Sequence, residues 1–236
     1  MDSCECKGVM ARHNRAHGPL TSFFVAVMGL CAFLALAAMP ARAGSADDVA
    51  AQGFIQQNID HGIDILKNKS LTDAQRREQI HDLLSNLLDT TKIGLFALGS
   101  ARSTASQADL DDYVTAFKAF MIASYETRLS GYGGQSLKVT SVIDHAPGDY
   151  IVSSVLVDPG NPGDPDPVRV DFRVLGETGK FAIVDASIAG VWLGLAQRDD
   201  FGGFLGQHNA SVPALTAHLK DMTAGFLAQA NAATAP

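Results

Sequence analysis

Few residues in this 236-residue sequence have the types and spacing needed for chemistry. His61 and Asp64 lie three positions apart in a helix-like segment and could face one metal ion. Two ligands without a third make a weak metal site, so a solvated helix face is the favoured interpretation. Asp185 lies in an apolar, strand-like segment and could act as a general base. A position on the solvated face of the sheet, or pairing with Arg169 or Arg173 on a neighbouring strand, is the favoured arrangement for this carboxylate.

The remaining titratable residues and motifs give no stronger catalytic signal. GxSxG, HExxH and glycine-rich phosphate-loop motifs do not occur in the sequence. His145 lies in a predicted turn, whereas His208 and His218 lie near predicted helix ends, where histidine is common as a surface or capping residue. We therefore predict a protein that is not an enzyme, with no catalytic residue, no metal and no cofactor.

Residues 1–43 have the pattern of a secretory signal peptide. Basic residues precede an apolar run over residues 23–38, and an Ala-x-Ala sequence ends at Ala43. The run is long for a signal peptide and short for a membrane span, which leaves an uncleaved anchor as the alternative. We predict cleavage after Ala43 and a soluble periplasmic product, whether translation starts at Met1 or at Met10.

The predicted mature chain, residues 44–236, has no thiol, because Cys4, Cys6 and Cys31 all lie in the leader. Without a disulfide or a cysteine metal site, an apolar core must stabilise it, and 193 residues suffice for a single domain. Removal of the leader takes away four basic and two acidic side chains and changes the formal charge from −7 to −9. An acidic chain without a clustered positive face predicts no nucleic-acid partner.

Helical segments at both ends of the chain surround four strand-like segments. Apolar residues recur with helical spacing in three segments before the strands and in two after them, at about 191–207 and 212–227. Short turns join the strand-like segments, which favours an antiparallel meander. The pattern predicts an α+β domain: an antiparallel four-stranded sheet packed against helices from both ends of the chain, with an apolar pocket between sheet and helices. The predicted helix caps are Ser45, Thr72 with Gln75, and Ser106 with Asp109, and the predicted strands are 136–144, 149–158, 167–175 and 180–188.

Several motifs occur in a fixed order between Gly94 and Lys220. They are Leu98-Gly99, "YVTAFKAFMIASYETRLSGYGGQ", "VRVDFRV", a strand ending in Asp185, "IAGVWLGLAQRDDFGGFL" and "LTAHLKDM". In this order they resemble the MlaC family of periplasmic phospholipid-binding proteins, also called the toluene-tolerance auxiliary family. The resemblance covers about two thirds of the predicted mature chain.

Two departures from the family pattern concern the ligand. Phe181 stands where the family usually has tryptophan, and Ala189-Gly190-Val191-Trp192 replaces a Glu-Gly-Val-Ser turn. A branch of the family associated with hopanoid biosynthesis would suit a rigid polycyclic lipid. The ligand is therefore left open between a phospholipid and a hopanoid.

The resemblance implies a soluble shuttle for lipid between the outer and inner membranes. Its implied partners are a lipid ligand, an inner-membrane ABC transporter with an MCE-domain protein, and an outer-membrane lipoprotein complex. Two other functions remain as alternatives: a small-molecule enzyme with a cone-shaped α+β pocket, and a structural periplasmic adaptor.

We predict a lipid slot between the apolar face of the sheet and the third helix, closed at one end by the segment around the only tryptophan. The predicted lipid-binding residues are Phe117, Phe120, Met121, Tyr125, Val168, Val170, Phe172, Val174, Ile188, Val191, Trp192 and Leu195.

Overall fold

The computed structural model describes residues 45–129, 131–177 and 180–233, so the predicted leader lies outside the described residues. Within these ranges four helices precede a five-stranded antiparallel sheet and two follow it, which confirms the α+β class. The helices are α1 (Ala46–Lys67), α2 (Asp73–Leu87), α3 (Thr90–Ala97), α4 (Gln107–Leu129), α5 (Leu193–Gln207) and α6 (Val212–Ala233), with a 3-10 helix at Gly99–Ser103. The strands are β1 (Ser136–Ala146), β2 (Asp149–Val157), β3 (Arg169–Glu177), β4 (Lys180–Ile188) and β5 (Val191–Trp192).

The predicted helix caps are confirmed. The Ser45 hydroxyl accepts a hydrogen bond from the Asp48 backbone N–H at 3.1 Å, and the Asp48 carboxylate accepts one from the Ser45 N–H at 2.6 Å. Thr72 and Gln75 make the same reciprocal pair at the start of α2. These bonds satisfy backbone donors that a helix start otherwise leaves without partners, so the sequence defines where these helices begin.

The sheet has the strand order β1-β2-β3-β4-β5, with every neighbouring pair antiparallel. The prediction of four strands is corrected by β5, whose residues were expected to begin a helix. Ala189 and Gly190 both have positive φ angles, 50° and 83°, and make a tight turn after β4. The chain therefore folds back, and Val191 and Trp192 pair with β4 before α5 begins.

Helix α3 was absent from the sequence-based prediction. It has only eight residues and is capped by the Asp89 carboxylate, which accepts the Lys92 N–H at 2.9 Å. Its contact with α4 is close, because a Cβ on Gly94 would lie 2.8 Å from the ring of Phe117. The Tyr113 hydroxyl donates to the Gly94 carbonyl at 2.9 Å, and burial raises the pKa of this tyrosine.

Two groups of buried apolar side chains stabilise the fold. One lies among α3, α4, α5 and α6 and includes Phe117, Phe201 and Leu215. The other lies between α1 and the inner face of the sheet and includes Ile55 and Val152. No helix in the described ranges is long and apolar enough to cross a membrane.

Candidate ligand cavities

The larger apolar cavity lies between α1, α2, the end of α4 and the sheet, and has a volume of about 350 Å³. Its volume falls within the usual range for ligand pockets, about 300–1,000 Å³. None of the described residues that line it is charged. The lining residues are Ile55, Asn58, Ile59, Gly62, Ile63, Leu66, Ile80, Leu83, Leu84, Leu87, Leu129, Tyr132, Gln135, Ser136, Leu137, Leu156, Phe172 and Ile183.

Apolar stripes of α1 and α2 form one wall of the larger cavity, and Gly62 lets the two helices pack closely. A Cβ on Gly62 would lie 3.3 Å from the Leu83 side chain, which is tighter than an ordinary contact. The two helices therefore pack against each other, and their apolar residues face the sheet across the cavity. Phe172 of β3 and Ile183 of β4 form part of the opposite wall.

A few polar groups interrupt the apolar lining of the larger cavity. The Asn58 side chain donates to the Phe54 carbonyl at 2.7 Å, and the Gln135 side-chain oxygen accepts the Gly133 N–H at 3.0 Å. The Tyr132 hydroxyl is buried and has no hydrogen-bond partner among the residues that the structure describes. Tyr132 and Gln135 lie in the connection from α4 to β1, so the polar groups concentrate on that side.

A smaller cavity of about 200 Å³ lies between α3, α4, α5 and β4. Its lining is more polar than that of the larger cavity. The lining residues are Leu88, Ile93, Phe117, Phe120, Met121, Ser124, Tyr125, Arg128, Ile183, Asp185, Ala186, Leu193, Gly194, Ala196, Gln197 and Asp200.

The connection between α2 and α3 separates the two cavities. Leu88 forms a β-bridge with Ile183, and the Asp89 N–H donates to the Ile183 carbonyl at 3.0 Å. Leu87 lines the larger cavity, Leu88 lines the smaller one, and Ile183 lines both. Leu88 and Ile183 therefore lie at the boundary between the two cavities.

Asp185 in the smaller cavity binds backbone groups. Its Oδ1 accepts the N–H of Ala186 at 2.8 Å and the N–H of Gly194 at 2.9 Å. Gly194 is in the first turn of α5, so the carboxylate satisfies a free donor there and complements the helix dipole. The expected pairing with Arg169 or Arg173 is corrected, because those guanidinium groups bind the carboxylates of Asp171 and Asp149.

Tyr125 brings a phenolic hydroxyl to the lining of the smaller cavity, beside the hydroxyl of Ser124. Burial raises its pKa, the nearby charge of Asp185 raises it further, and Arg128 partly opposes the shift. The hydroxyl is therefore protonated at neutral pH. The Arg128 guanidinium lies 6.0 Å from the centre of the Tyr125 ring and brings a positive charge to this cavity.

The structure distributes the twelve predicted site residues over several places. Four of them, Phe117, Phe120, Met121 and Tyr125, line the smaller cavity, and Phe172 lines the larger one. Val174 is fully buried in the core, and Val170 and Trp192 are partly buried. The other four are 41 to 58% exposed: Val168, Ile188, Val191 and Leu195.

Trp192 and Val170 lie on opposite faces of the sheet. Trp192 pairs with Ser187, whereas Val170 pairs with Ile188, the next residue along β4. Paired residues share a face and successive residues alternate, so the indole is on the outer face with Asp171. Trp192 and Val170 were expected to line the same slot, but the strand register places them on opposite faces of the sheet.

The larger cavity draws most of its wall from residues that the sequence-based prediction assigned to helices but not to a site. Their apolar spacing was visible in α1 and α2, yet a stripe does not reveal whether it meets a packed core or a cavity. His61 and Asp64 of α1 are both exposed. In the part of the chain that the structure describes, no group of three or more His, Cys, Asp or Glu side chains is placed to hold a metal.

Comparison with known proteins agrees with the fold described above. A family model described as MlaC protein matches residues 56–221. A phospholipid-binding protein from Ralstonia solanacearum, solved in complex with a phospholipid, has a similar fold. It is 20% identical, the match covers 75% of this chain and 98% of that chain, and the TM-score is 0.63.

Proposed function

Because the chain belongs to the MlaC protein family, we propose that it is a periplasmic carrier of a phospholipid or a related lipid such as a hopanoid. The observation that supports this most is the larger cavity, which is lined by apolar side chains and has no charged wall. The phospholipid in the similar Ralstonia protein supports a phospholipid as the ligand class. Binding rather than catalysis is the proposed role of the cavity.

The need for a carrier follows from the hydrophobic effect. At about 0.8 kcal/mol per buried methylene, two chains of roughly fifteen carbons lose on the order of 25 kcal/mol when they enter water. The larger cavity, at about 350 Å³, removes the part of this penalty that belongs to the chain segments it covers. The carrier then exchanges lipid with each membrane without exposing the chains to the aqueous phase.

We place the acyl chains in the larger cavity, with Phe172 as the predicted site residue that contacts them. The four predicted residues of α4 contribute through the smaller cavity, which the Leu88–Ile183 contact separates from the larger one. For the other seven predicted residues, contact with lipid stays a prediction. The family supports an ABC transporter with an MCE-domain protein and an outer-membrane lipoprotein complex as the proposed partners.

The first experiment measures bound lipid in protein purified without detergent. Native mass spectrometry of the intact complex and analysis of extracted lipid should show about one lipid per chain. Lipid-stripped protein should also take up lipid from vesicles. Bare polypeptide that takes up nothing would contradict the proposal, and turnover of an added amphiphile would favour the enzyme alternative.

Two matched variants test which cavity holds the chains. Ile63→Trp adds an indole to the wall of the larger cavity, and Ile93→Trp makes the same change in the smaller one. We expect Ile63→Trp to fold and to lose most of its bound lipid, whereas Ile93→Trp should retain more. Equal lipid content in the two folded variants would place the chains elsewhere.

A further inference from the structure

The smaller cavity carries hydroxyl groups that no part of the protein uses. Ser124 is only 8% exposed and lines this cavity, and Tyr125 lines it beside Ser124. Neither hydroxyl makes a hydrogen bond to a residue that the structure describes, and neither is among the enclosed side-chain atoms without a partner in the described ranges. Both hydroxyls therefore have surface that opens into the cavity and are available to a ligand.

Asp185 contributes a free oxygen to the same cavity. Its Oδ1 is occupied by the N–H groups of Ala186 and Gly194, whereas its Oδ2 accepts no hydrogen bond from the residues that the structure describes. Beyond the effect of burial, the charge of Asp185 raises the pKa of Tyr125, so the carboxylate lies near the phenol. The two side chains do not bond to each other, which leaves both available to a ligand atom between them.

The free atoms define the chemistry of that ligand atom. The phenol is protonated at neutral pH and can donate, whereas a carboxylate oxygen only accepts, and a hydroxyl can accept from the first and donate to the second. An anionic group would meet the negative charges of Asp185 and Asp200, and an ammonium would meet the positive charge of Arg128. Either ion would also lose hydration on entering the cavity, so a neutral hydroxyl is favoured.

The apolar half of the smaller cavity defines the rest of the ligand. Phe117, Phe120 and Met121 come from earlier turns of α4, and the two hydroxyl-bearing residues follow in the next turn. The lining therefore changes from apolar to polar along one helix, as an amphiphile requires. The volume of about 200 Å³ is below the range of about 300–1,000 Å³ that is usual for drug-sized ligands, so the cavity suits a short chain.

The boundary between the two cavities favours separate ligands. Leu88 and Ile183 form a β-bridge there, and the Asp89 N–H donates to the Ile183 carbonyl at 3.0 Å. A chain that passed from one cavity to the other would have to cross this backbone connection. A ligand of the smaller cavity is therefore expected to be a molecule distinct from the lipid of the larger one.

We propose that the smaller cavity is a second binding site, for a short-chain amphiphile with a neutral hydroxyl that accepts a hydrogen bond from Tyr125 and donates one to Oδ2 of Asp185. The proposal goes beyond the lipid-carrier function, because it concerns a separate site and does not require lipid in the larger cavity.

The first test compares two isomers, 1-hexanol and methyl pentyl ether, which contain the same atoms. Only the alcohol can donate to Asp185. Titrations of wild type are followed by NMR at the amide groups of Ala186 and Gly194, which bond to Asp185 and report on this cavity. We expect 1-hexanol to bind about five-fold tighter than the ether, which corresponds to one hydrogen bond of about 1 kcal/mol. Hexylammonium and hexanoate should both bind more weakly than 1-hexanol.

A tyrosine variant tests the second hydrogen bond. Tyr125→Phe should weaken the binding of both the alcohol and the ether about five-fold, because both accept from the phenol. Tyr150→Phe is the matched control, since Tyr150 is buried but lines neither cavity, and it should bind both compounds as wild type does. Asp185 is left unchanged, because it also caps α5.

Two tryptophan variants test the location of the site. Ile93→Trp fills the smaller cavity and should abolish the binding of 1-hexanol at the reporting amides, whereas Ile63→Trp fills the larger cavity and should retain it. Wild type that has been loaded with phospholipid should bind 1-hexanol as tightly as lipid-stripped wild type. Displacement of the alcohol by the phospholipid would show that a lipid supplies the hydroxyl and would overturn the second site.

The comparison in wild type does not depend on how the variants fold. Equal binding of alcohol and ether, tighter binding of either ion, or no response at the reporting amides would each overturn the proposal. None of these results bears on the uptake of phospholipid, which is measured separately, so failure of the second site and failure of the carrier function are distinguishable.

Discussion

At the scale of single residues, Asp185 acts through one carboxylate oxygen that accepts two backbone N–H groups. One of these groups belongs to the first turn of α5, where Trp192 at the N-cap position makes no side-chain cap. A carboxylate supplied by β4 therefore does the work that a capping side chain usually does. The bond ties α5 to the sheet beside the smaller cavity.

Gly194→Ala should destabilise the protein, although alanine is normally the better helix former by about 1 kcal/mol. The added Cβ would lie 2.9 Å from Oδ2 of Asp185 and would displace the carboxylate. Gly203→Ala is the matched control, since a Cβ there meets nothing within 4 Å in the same helix. Urea midpoints should fall for Gly194→Ala and rise for Gly203→Ala, and a rise in both would contradict the capping role.

Asp89 at the start of α3 gives a dependence of stability on pH. Burial raises the pKa of its carboxyl, but the hydrogen bonds and charge of Lys92 lower it more, so the pKa is below the usual value. The resulting stabilisation is present above the unfolded-state pKa and is lost as pH falls through the folded-state pKa. At neutral pH it is worth at most about 1 kcal/mol, because the Lys92 ammonium is largely exposed.

We expect Asp89→Asn to be less stable than wild type at pH 7 and nearly equal to it at a pH well below the usual carboxyl pKa, where the wild-type carboxyl is protonated despite its lowered pKa. Asparagine can still cap α3, so the comparison isolates the charge. Denaturant midpoints of both proteins at the two pH values provide the measurement. A constant difference at both values would argue against the Lys92 pairing.

The sequence singled out Asp185 as an unusual acid but did not reveal its partners. Alternation along β4 places it beside Arg173, and the two are indeed register partners. However, a bulge interrupts the register between β3 and β4 at this point, and the Arg173 guanidinium binds Asp149 from β2 instead. Bulges and the choice among several carboxylates depend on tertiary geometry, which a residue pattern does not contain.

At the scale of elements, the sequence predicted the helix starts and strand connections that depend on hydrogen bonds between residues close in the chain. The capping pairs at Ser45 and Thr72 fixed the starts of α1 and α2, and the turns between the four main strands fixed the meander. Helix α3 and strand β5 were not predicted, because each is too short to show a period. Helix α3 is stabilised by the close packing of Gly94 against Phe117. Strand β5 forms because a two-residue turn brings it back to pair with β4.

The turn between β4 and β5 predicts a stabilising substitution. Ala189 has φ of 50°, a left-handed conformation that costs alanine about 1–2 kcal/mol, and Gly190 follows with φ of 83°. Asparagine tolerates this region, and Asn-Gly is the preferred pair for such a hairpin. Ala189→Asn should raise the free energy of unfolding by about 0.5–1 kcal/mol.

Gly190→Ala is the reciprocal change and should lower stability by about 1 kcal/mol, because it adds a Cβ at positive φ. No neighbouring atom lies within 4 Å of that Cβ, so the effect would come from the backbone and not from a clash. Both variants can be compared with wild type by thermal and urea unfolding. Equal stability of the three proteins would mean that the turn is not held in this conformation.

At the scale of the whole molecule, the unpredictable feature is where the interior stays open. The sequence shows apolar faces on α1, α2, α4 and the sheet, and the open space was expected between the sheet and α4. Which faces pack and which leave a cavity depends on how closely the elements approach, as at Gly62 and Gly94. The larger cavity therefore lies under α1 and α2, whereas the predicted slot was centred on α4.

A protein with an apolar cavity of about 350 Å³ should depend on its ligand for part of its stability. A lipid that binds only the folded state at one hundred times its Kd adds about 2.7 kcal/mol. For a domain of this size, with about 2–4 °C per kcal/mol, removal of the lipid should lower the melting temperature by about 5–10 °C. Differential scanning calorimetry of loaded, stripped and reloaded samples measures the effect, and the reloaded sample controls for damage during stripping. A carrier that binds lipid in an interior cavity must be stabilised by that lipid. Identical melting temperatures for the loaded and stripped samples would therefore contradict the carrier function.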